Sequence, residues 1–374
     1  MTGANNPSTR AGVSDQPWGQ RGTASVSFAS ALKFADVTVQ LDGHTILDKL
    51  TFDLRPGEVV CLLGESGSGK STVLRVAAGL QSISSGEVRV NDVLMSAQNV
   101  HVPPQKRGVG LMFQDFALFP HMTLLQNTMF GLSDLPKKDA MQRATAALKR
   151  VGLDHRCDDY PHTLSGGQQQ RLALARSIAP RPGILMLDEP FSSLDARLRE
   201  TVRTEALAIL RETRATTLIV THDPEEAMVL ADRIALLRNG KIIQIDDGAR
   251  LYESPVDLGA ARFLSPLAEI SAIVQSGKAQ TPLGTVEAPG RSDGAEVIVA
   301  IRPTGALTLG KIGEGVPGRV VAKRKALGTD LLEVAVAGID APIHIRRASD
   351  PALTRGLDVS LRLNPEHVLV FDPN

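Results

Sequence analysis

The stretch VVCLLGESGSGKSTVLRVAAGL, residues 59–80, decides the fold. Val59 to Leu63 form an unbroken apolar run, which suits a strand buried on both faces. Gly64 to Ser71 then follow the spacing G-x-x-x-x-G-K-[ST], and a helix is expected over Lys70 to Ala78. Strand, glycine loop and helix in that order build a phosphate cradle. Glycines let backbone N–H groups turn inward, and the helix N-terminus adds its partial positive charge. Lys70 suits the β- and γ-phosphates of a nucleotide, and the Ser71 hydroxyl suits Mg²⁺. The nucleotide-contacting candidates are therefore Gly64, Glu65, Ser66, Gly67, Ser68, Gly69, Lys70, Ser71 and Thr72.

Around this unit, short β-rich runs alternate with helical patterns. KFADVTVQ and HTILDKLTFDL read as strands before it; EVRVNDVLM alternates as one strand after it, and GVGLMF (108–113) is another. From Leu124 to Arg150 the pattern turns helical and closes on a glycine. GILMLDE and TLIVTHD are buried strands that each precede a helix, which predicts a largely parallel α/β sheet. After Ser265 the texture changes to short strands rich in Gly and Pro, the pattern of a small all-β barrel-like domain. SPVDLGAARFLSP (254–266) reads as the connecting helix. Residues 1–30 are polar and turn-rich and read as a disordered leader, with Trp18 incidental.

Three further motifs carry chemistry. In GILMLDEP (183–190) two carboxylates end a buried strand, a costly placement unless they have a task. Asp188 suits the Mg²⁺ shell, and Glu189 is placed to polarise an attacking water. In TLIVTHDPEEA (217–227) His222 ends a strand, where ligand sites of parallel sheets gather. Asp223, with Pro224 and Glu226, reads as a capping box. Gln114 follows a strand and can offer its side-chain oxygen to Mg²⁺. Last, LSGGQQQRLALARS (164–177) sets Ser165, Gly166 and Gly167 at the start of a long helix, a second anion-binding turn that could equally be a plain N-cap.

GESGSGKST, MFQD, LSGGQQQR, ILMLDEP, SSLD and VTHD occur in this order, and together they resemble the ATP-binding subunit of ABC transporters over residues 33–265. The resemblance implies a phosphate-loop ABC ATPase domain at 31–265 with a helical subdomain at about 115–180. It implies that two such subunits close head to tail, each ATP lying between the phosphate loop of one and the Leu164–Gln168 turn of the other. Lys70 and Ser71 then serve phosphates and Mg²⁺, and Gln114 is a metal contact and hinge. Asp188 is the second magnesium residue and Glu189 the catalytic carboxylate. His222 senses the γ-phosphate, Ser165, Gly166, Gly167 and Gln168 meet the partner's nucleotide, and Asp195 crosses the dimer. One departure is Leu41, which stands where the family places an aromatic ring against adenine.

AIRPTGALTL and LRLNPEHVLVF resemble the small TOBE barrel, OB-like, appended to ATPases of bacterial binding-protein-dependent importers; it would occupy 266–374. This implies an ATPase on the cytoplasmic face of the bacterial inner membrane, held there by permease subunits. Residues after Gln114, through about Leu132, would meet a permease helix, and a periplasmic binding protein would take part indirectly. PPQKRGVGLMFQDFALFPHMTLLQN is similar to the iron(III), polyamine and sulfate group. Iron(III) is the first reading, spermidine or putrescine the next, then sulfate.

Composition constrains the rivals. Lys plus Arg equals Asp plus Glu at 41 each in 374 residues, so no bulk basic field points to nucleic acid. That weighs against a soluble ABC ATPase of DNA repair or translation. A kinase reading is weaker still, because the Leu164–Gln168 turn needs no acceptor pocket. No apolar run approaches the ~20 residues that span a bilayer. Cys61 and Cys157 stand far apart in unlike contexts, so neither a disulfide framework nor metal-ligand spacing is visible.

Overall fold

The structure is a computed structural model and describes residues 18–192, 196–310 and 313–373. It divides into two compact units between Asp247 and Gly248. The first holds β1 (Leu32–Leu41), β2 (His44–Leu54), β3 (Val59–Leu63), α1 (Lys70–Ala78), β4 (Ser85–Val90), β5 (Val93–Ala97), β6 (Val100–His101) and β7 (Val109–Met112). It continues with α2 (Leu124–Met129), α3 (Lys137–Arg150), α4 (Gly166–Ile178), β8 (Ile184–Asp188), α5 (Ala196–Thr213), β9 (Thr216–Thr221), α6 (Pro224–Leu230), β10 (Arg233–Arg238) and β11 (Lys241–Asp246).

The central sheet runs β11-β10-β3-β9-β8-β7, with every pairing parallel except β10 with β11. Its middle strands are apolar because they are covered on both faces: every residue of β3 and β9 is buried, and β8 is buried up to Asp188. Register sets Leu63 opposite Thr221 and Asp188 opposite Val220, so the carboxyl ends of β3, β9 and β8 finish side by side. A second, antiparallel sheet, β2-β1-β4-β5-β6, shares one core with it. Val73, Leu74, Val76 and Ala77 of α1 lie in that core with Phe34, Phe52, Leu62, Met186 and Val220. Buried Arg107 stitches the layers, donating to the carbonyls of Val76 and Ala77 on α1 and of Met95 on β5. α1 is thereby fixed at its far end, which steadies the phosphate loop at its near end.

α2, α3 and α4 form a helical lobe. Thr123 and Gln126 make a reciprocal capping box at α2, and α3 begins after Pro136. The helical pattern expected from Leu124 to Arg150 is thus broken between Met129 and Lys137.

The second unit contains α7 (Gly248–Glu253), α8 (Leu258–Leu264), β12 (Ala268–Gln275), β13 (Lys278–Thr281), β14 (Gly284–Glu287), β15 (Glu296–Ile301), β16 (Leu307–Gly310), β17 (Val316–Ala326), β18 (Thr329–Val336), β19 (Ile343–Ala348), β20 (Asp358–Leu363) and β21 (Val368–Phe371). Its sheets run β14-β13-β12-β15-β21 and β16-β20-β17-β18-β19, every described pairing antiparallel. Alternate residues point inward, Val274, Val299, Val320, Val334 and Ile345 among them. Asp330 is buried yet charged. The Asp350 N–H, Lys323 and Ser349 all donate to it, and they hold its carboxyl down at about 2.

Two expectations are corrected. EVRVNDVLM is a hairpin, β4 and β5, because Asn91 and Asp92 both take positive φ (46° and 64°) and turn the chain back. Residues 18–30, expected as disordered leader, are placed against the first unit; Trp18 lies over the Arg171 guanidinium, 5.2 Å from ring centre to Cζ. Residues 1–17 lie outside the described ones. The compact units divide between Asp247 and Gly248, with α7 and α8 in the second.

Candidate active site

The loop after β3 conforms to what its glycines permit. Gly67 and Gly69 adopt φ of 81° and 107°, and a Cβ on Gly69 would press on the Leu47 side chain. Lys70, six per cent exposed, folds back to donate to the carbonyls of Gly64 and Glu65 at 2.8 and 2.7 Å. Burial lowers its pKa, opposed by the nearby charges of Glu189 and Asp188.

Facing it, Asp188 ends β8. Burial and the adjacent Glu189 raise its pKa, against a hydrogen bond with Ser71 and the charges of Arg75 and Lys70. Its Oδ1 is buried with no hydrogen-bond partner. The chain turns sharply at Glu189, where φ is +42°, a strained value for a side chain of this size. That turn aims the carboxylate at two groups: Gln114 Nε2 donates to Oε2 at 3.3 Å, and His222 Nδ1 lies 3.1 Å from Oε1. A cleft of about 570 Å³ joins these parts; Ile46, Ser66, Gly67, Gly69, Lys70, Ser71, Thr72, Gln114, Glu189 and His222 line it.

Ser165, Gly166, Gly167 and Gln168 are not among that cleft's lining residues. They open α4 with Ser165 at the cap, and Gln168 Oε1 accepts from the Ser165 N–H at 3.0 Å and from Arg156 at 3.1 Å. A Cβ built on Gly166 meets nothing within 4 Å. Asp195 lies outside the described residues.

Asp223 caps α6 through the N–H groups of Glu225 and Glu226, but the expected reciprocal arm is missing. Glu226 instead accepts from Thr221 Oγ1 at 3.1 Å and is four per cent exposed, its carboxyl pushed up to about 7 chiefly by burial. Sequence reasoning also passed over Ile46, the apolar wall of the cleft; Leu41 is 38% exposed.

A pocket that combines a backbone anion cradle, a buried lysine and a carboxylate aimed by two polar side chains suits cleaving a phosphoanhydride. The ABC transporter family pattern matches residues 47–192. The iron(III) import ATP-binding protein FbpC of Streptomyces avermitilis is 39% identical over 87% of this chain and 95% of its own length. The putative 2-aminoethylphosphonate import ATP-binding protein PhnT of Salmonella typhimurium is 42% identical over 71% of this chain and 69% of its own. This chain belongs to the ATP-binding proteins of ABC importers. Among solved structures, the dimeric ATP-binding cassette MJ0796 with ADP and phosphate superposes with a TM-score of 0.52 at 28% identity, covering 58% of this chain and 98% of that one. As an ABC ATPase the protein binds ATP and hydrolyses it to ADP and phosphate in coupling to transport. Among the described residues no helix is long and apolar enough to cross a membrane.

Proposed function

We propose that this ABC ATPase works as a pair of subunits beneath a membrane permease and energises the import of iron(III). Lys70 and the N–H groups of Gly64–Thr72 hold the phosphates. Glu189 orients the attacking water, with Gln114 and His222 fixing the carboxylate. Ser165, Gly166 and Gly167 serve the partner's nucleotide, with the buried Gln168 shaping their turn through the Ser165 N–H, and Asp195 is assigned a role between the paired subunits. The observation that carries this reading is the exposed Gly166 turn, which opens α4 but is not among the residues that line its own subunit's cleft.

Mg²⁺ fits the residues present. The partnerless Asp188 Oδ1, the Ser71 hydroxyl and the Gln114 amide oxygen are hard donors, and few protein ligands suffice where phosphates supply the rest. When bound, the ion neutralises charge on the phosphates. Residues 115–132 would contact the permease, on the cytoplasmic face of a bacterial membrane, with a periplasmic binding protein delivering cargo. The β-strand part of the second unit, 266–374, is read as a regulatory TOBE domain.

Iron(III) is preferred as cargo because the FbpC relative is matched along 95% of its own length and 87% of this chain. The PhnT relative gives 2-aminoethylphosphonate as a second reading. Radiolabelled Fe³⁺ uptake by cells with and without this chain, challenged by excess 2-aminoethylphosphonate and by spermidine, decides between them. Uptake that depends on the chain and resists both competitors supports iron; uptake indifferent to the chain overturns it.

A further inference from the structure

The extended segment from Trp18 to Ser30 takes no part in the nucleotide cleft, yet it bridges two parts of the ATPase unit. One end is fastened to the helical lobe. Trp18 lies over Arg171 of α4, and the Gly19 N–H donates to the Arg150 carbonyl, the last residue of α3, at 3.1 Å. A Cβ on Gly19 would collide with the Lys149 carbonyl, so the approach requires glycine. The other end is fastened to the core. Ser27, itself buried, donates to the carbonyl of Thr213 at the end of α5 at 2.7 Å, and Ser30 donates to that of Gly183 beside β8 at 3.1 Å.

Between the two ends lies a charged knot. Arg150 of the lobe is fully buried and grips Glu212 of α5 through two hydrogen bonds of 2.8 and 2.7 Å. The segment roofs this pair and shares it: the Ala24 N–H donates to Glu212 at 3.2 Å, and Arg21 binds Glu205 at 2.6 Å. Arg150 lies 3.7 Å from the same Glu205. Lobe, core and segment therefore meet on the same two carboxylates. A buried pair keeps its strength only while water is excluded, so the roof and the grip depend on each other.

We propose that Trp18–Ser30 is a positioning strap that fixes the α3–α4 lobe to the core, and so orients the Ser165–Gly167 turn for the partner subunit. α4 is one continuous helix from Gly166 to Ile178, so holding Arg171 and the end of α3 sets the direction of its N-terminus. With the lobe already oriented, ordering it is not a cost of pairing, and closure needs less protein. The strap belongs to the single subunit; its consequence for closure rests on the paired-subunit reading above.

The test uses full-length chains carrying Gly19→Val or Trp18→Ala. Deuterium uptake by the α3 amides should rise in both variants, while uptake by α1 stays at the wild-type level. ATPase activity against protein concentration should shift to higher concentration, by about two- to fivefold for Trp18→Ala, the loss of one cation–π contact. Turnover at saturating protein and the nucleotide affinity of dilute subunits should not change. Unaltered α3 exchange overturns the strap, as does a fall in nucleotide affinity, which would mark general loss of fold. If wild-type activity is itself independent of protein concentration, the pairing reading fails, and α3 exchange alone decides the strap.

Discussion

Two glycine-bearing turns open helices in this protein, and their surroundings are opposite. The first, Gly64–Ser71, leads α1 into a cleft where Lys70, Asp188, Glu189, Gln114 and His222 converge. The second, Ser165–Gly167, opens the buried helix α4 at an exposed end, where a Cβ on Gly166 meets nothing within 4 Å. Local physics is the same in both: N–H groups without helical partners and the positive end of the helix dipole. The difference lies in what the sheet delivers. Parallel strands β3, β8 and β9 end together at the first turn and bring charged side chains with them. Among the described residues no strand leads into the second, so chemistry there is expected to arrive with another molecule.

The strongest break in this comparison is Glu189→Gln. The exchange keeps the shape and removes the charge, so ATP binding should persist while turnover falls by about a thousandfold or more, roughly 4 kcal/mol of barrier. Single-turnover hydrolysis beside equilibrium ATP binding checks it. A variant that still turns over at the wild-type rate would remove Glu189 from the chemistry.

Much of the first turn could be read in the sequence because its parts are local. A strand, a glycine loop and a helix within residues 59–80 leave little for distant contacts to decide, and α1 spans Lys70–Ala78 as expected. The second turn could be read as a cap but not as a neighbour of anything, since spacing carries no information about which cleft a turn joins. The errors share a cause. EVRVNDVLM alternates along its whole length, and only the left-handed backbone at Asn91 and Asp92 makes it two strands. Residues 18–30 are polar and lack periodicity, yet they are held by carboxylates and carbonyls of α3, α5 and the β8 approach, far along the chain. Glu226 looked like half of a capping box because its spacing is right; Thr221 and burial redirected it.

Glu226 gives the next largest effect and sharpens the contrast between carboxylates beside the cleft. Its folded pKa of about 7 lies above the ordinary value of 4.5. Between those two pH values the folded protein keeps a proton that the unfolded chain has released. Stability from this group is therefore full below pH 4.5 and declines as pH rises toward about 7. The whole shift corresponds to at most about 3 kcal/mol. Glu226→Gln keeps an acceptor for Thr221 and removes the titration, so its thermal stability should fall less than the wild type's between pH 5 and pH 8. Parallel melting curves for the two chains would locate the cost elsewhere.

The smallest effect tests the second turn directly, through Gly166→Ala. In one subunit the added methyl meets nothing within 4 Å, and alanine favours a helix over glycine. Melting temperature and ATP affinity should therefore hold or rise slightly. If the turn serves only its own subunit, turnover should hold as well. If it cradles the partner's phosphate, the methyl stands between that anion and the backbone N–H groups, and weakening one charge-assisted hydrogen bond costs about 1.5 kcal/mol, roughly tenfold in turnover. Mixing decides where the fault lies. Combine a Gly166→Ala subunit with one carrying Lys70→Ala, and only one of the two composite sites bears both defects. The other pairs an intact Lys70 with an intact Gly166, and activity should reappear in the mixture above that of either variant alone. Two turns in one subunit's service would give the mixture no more than the average of its parts.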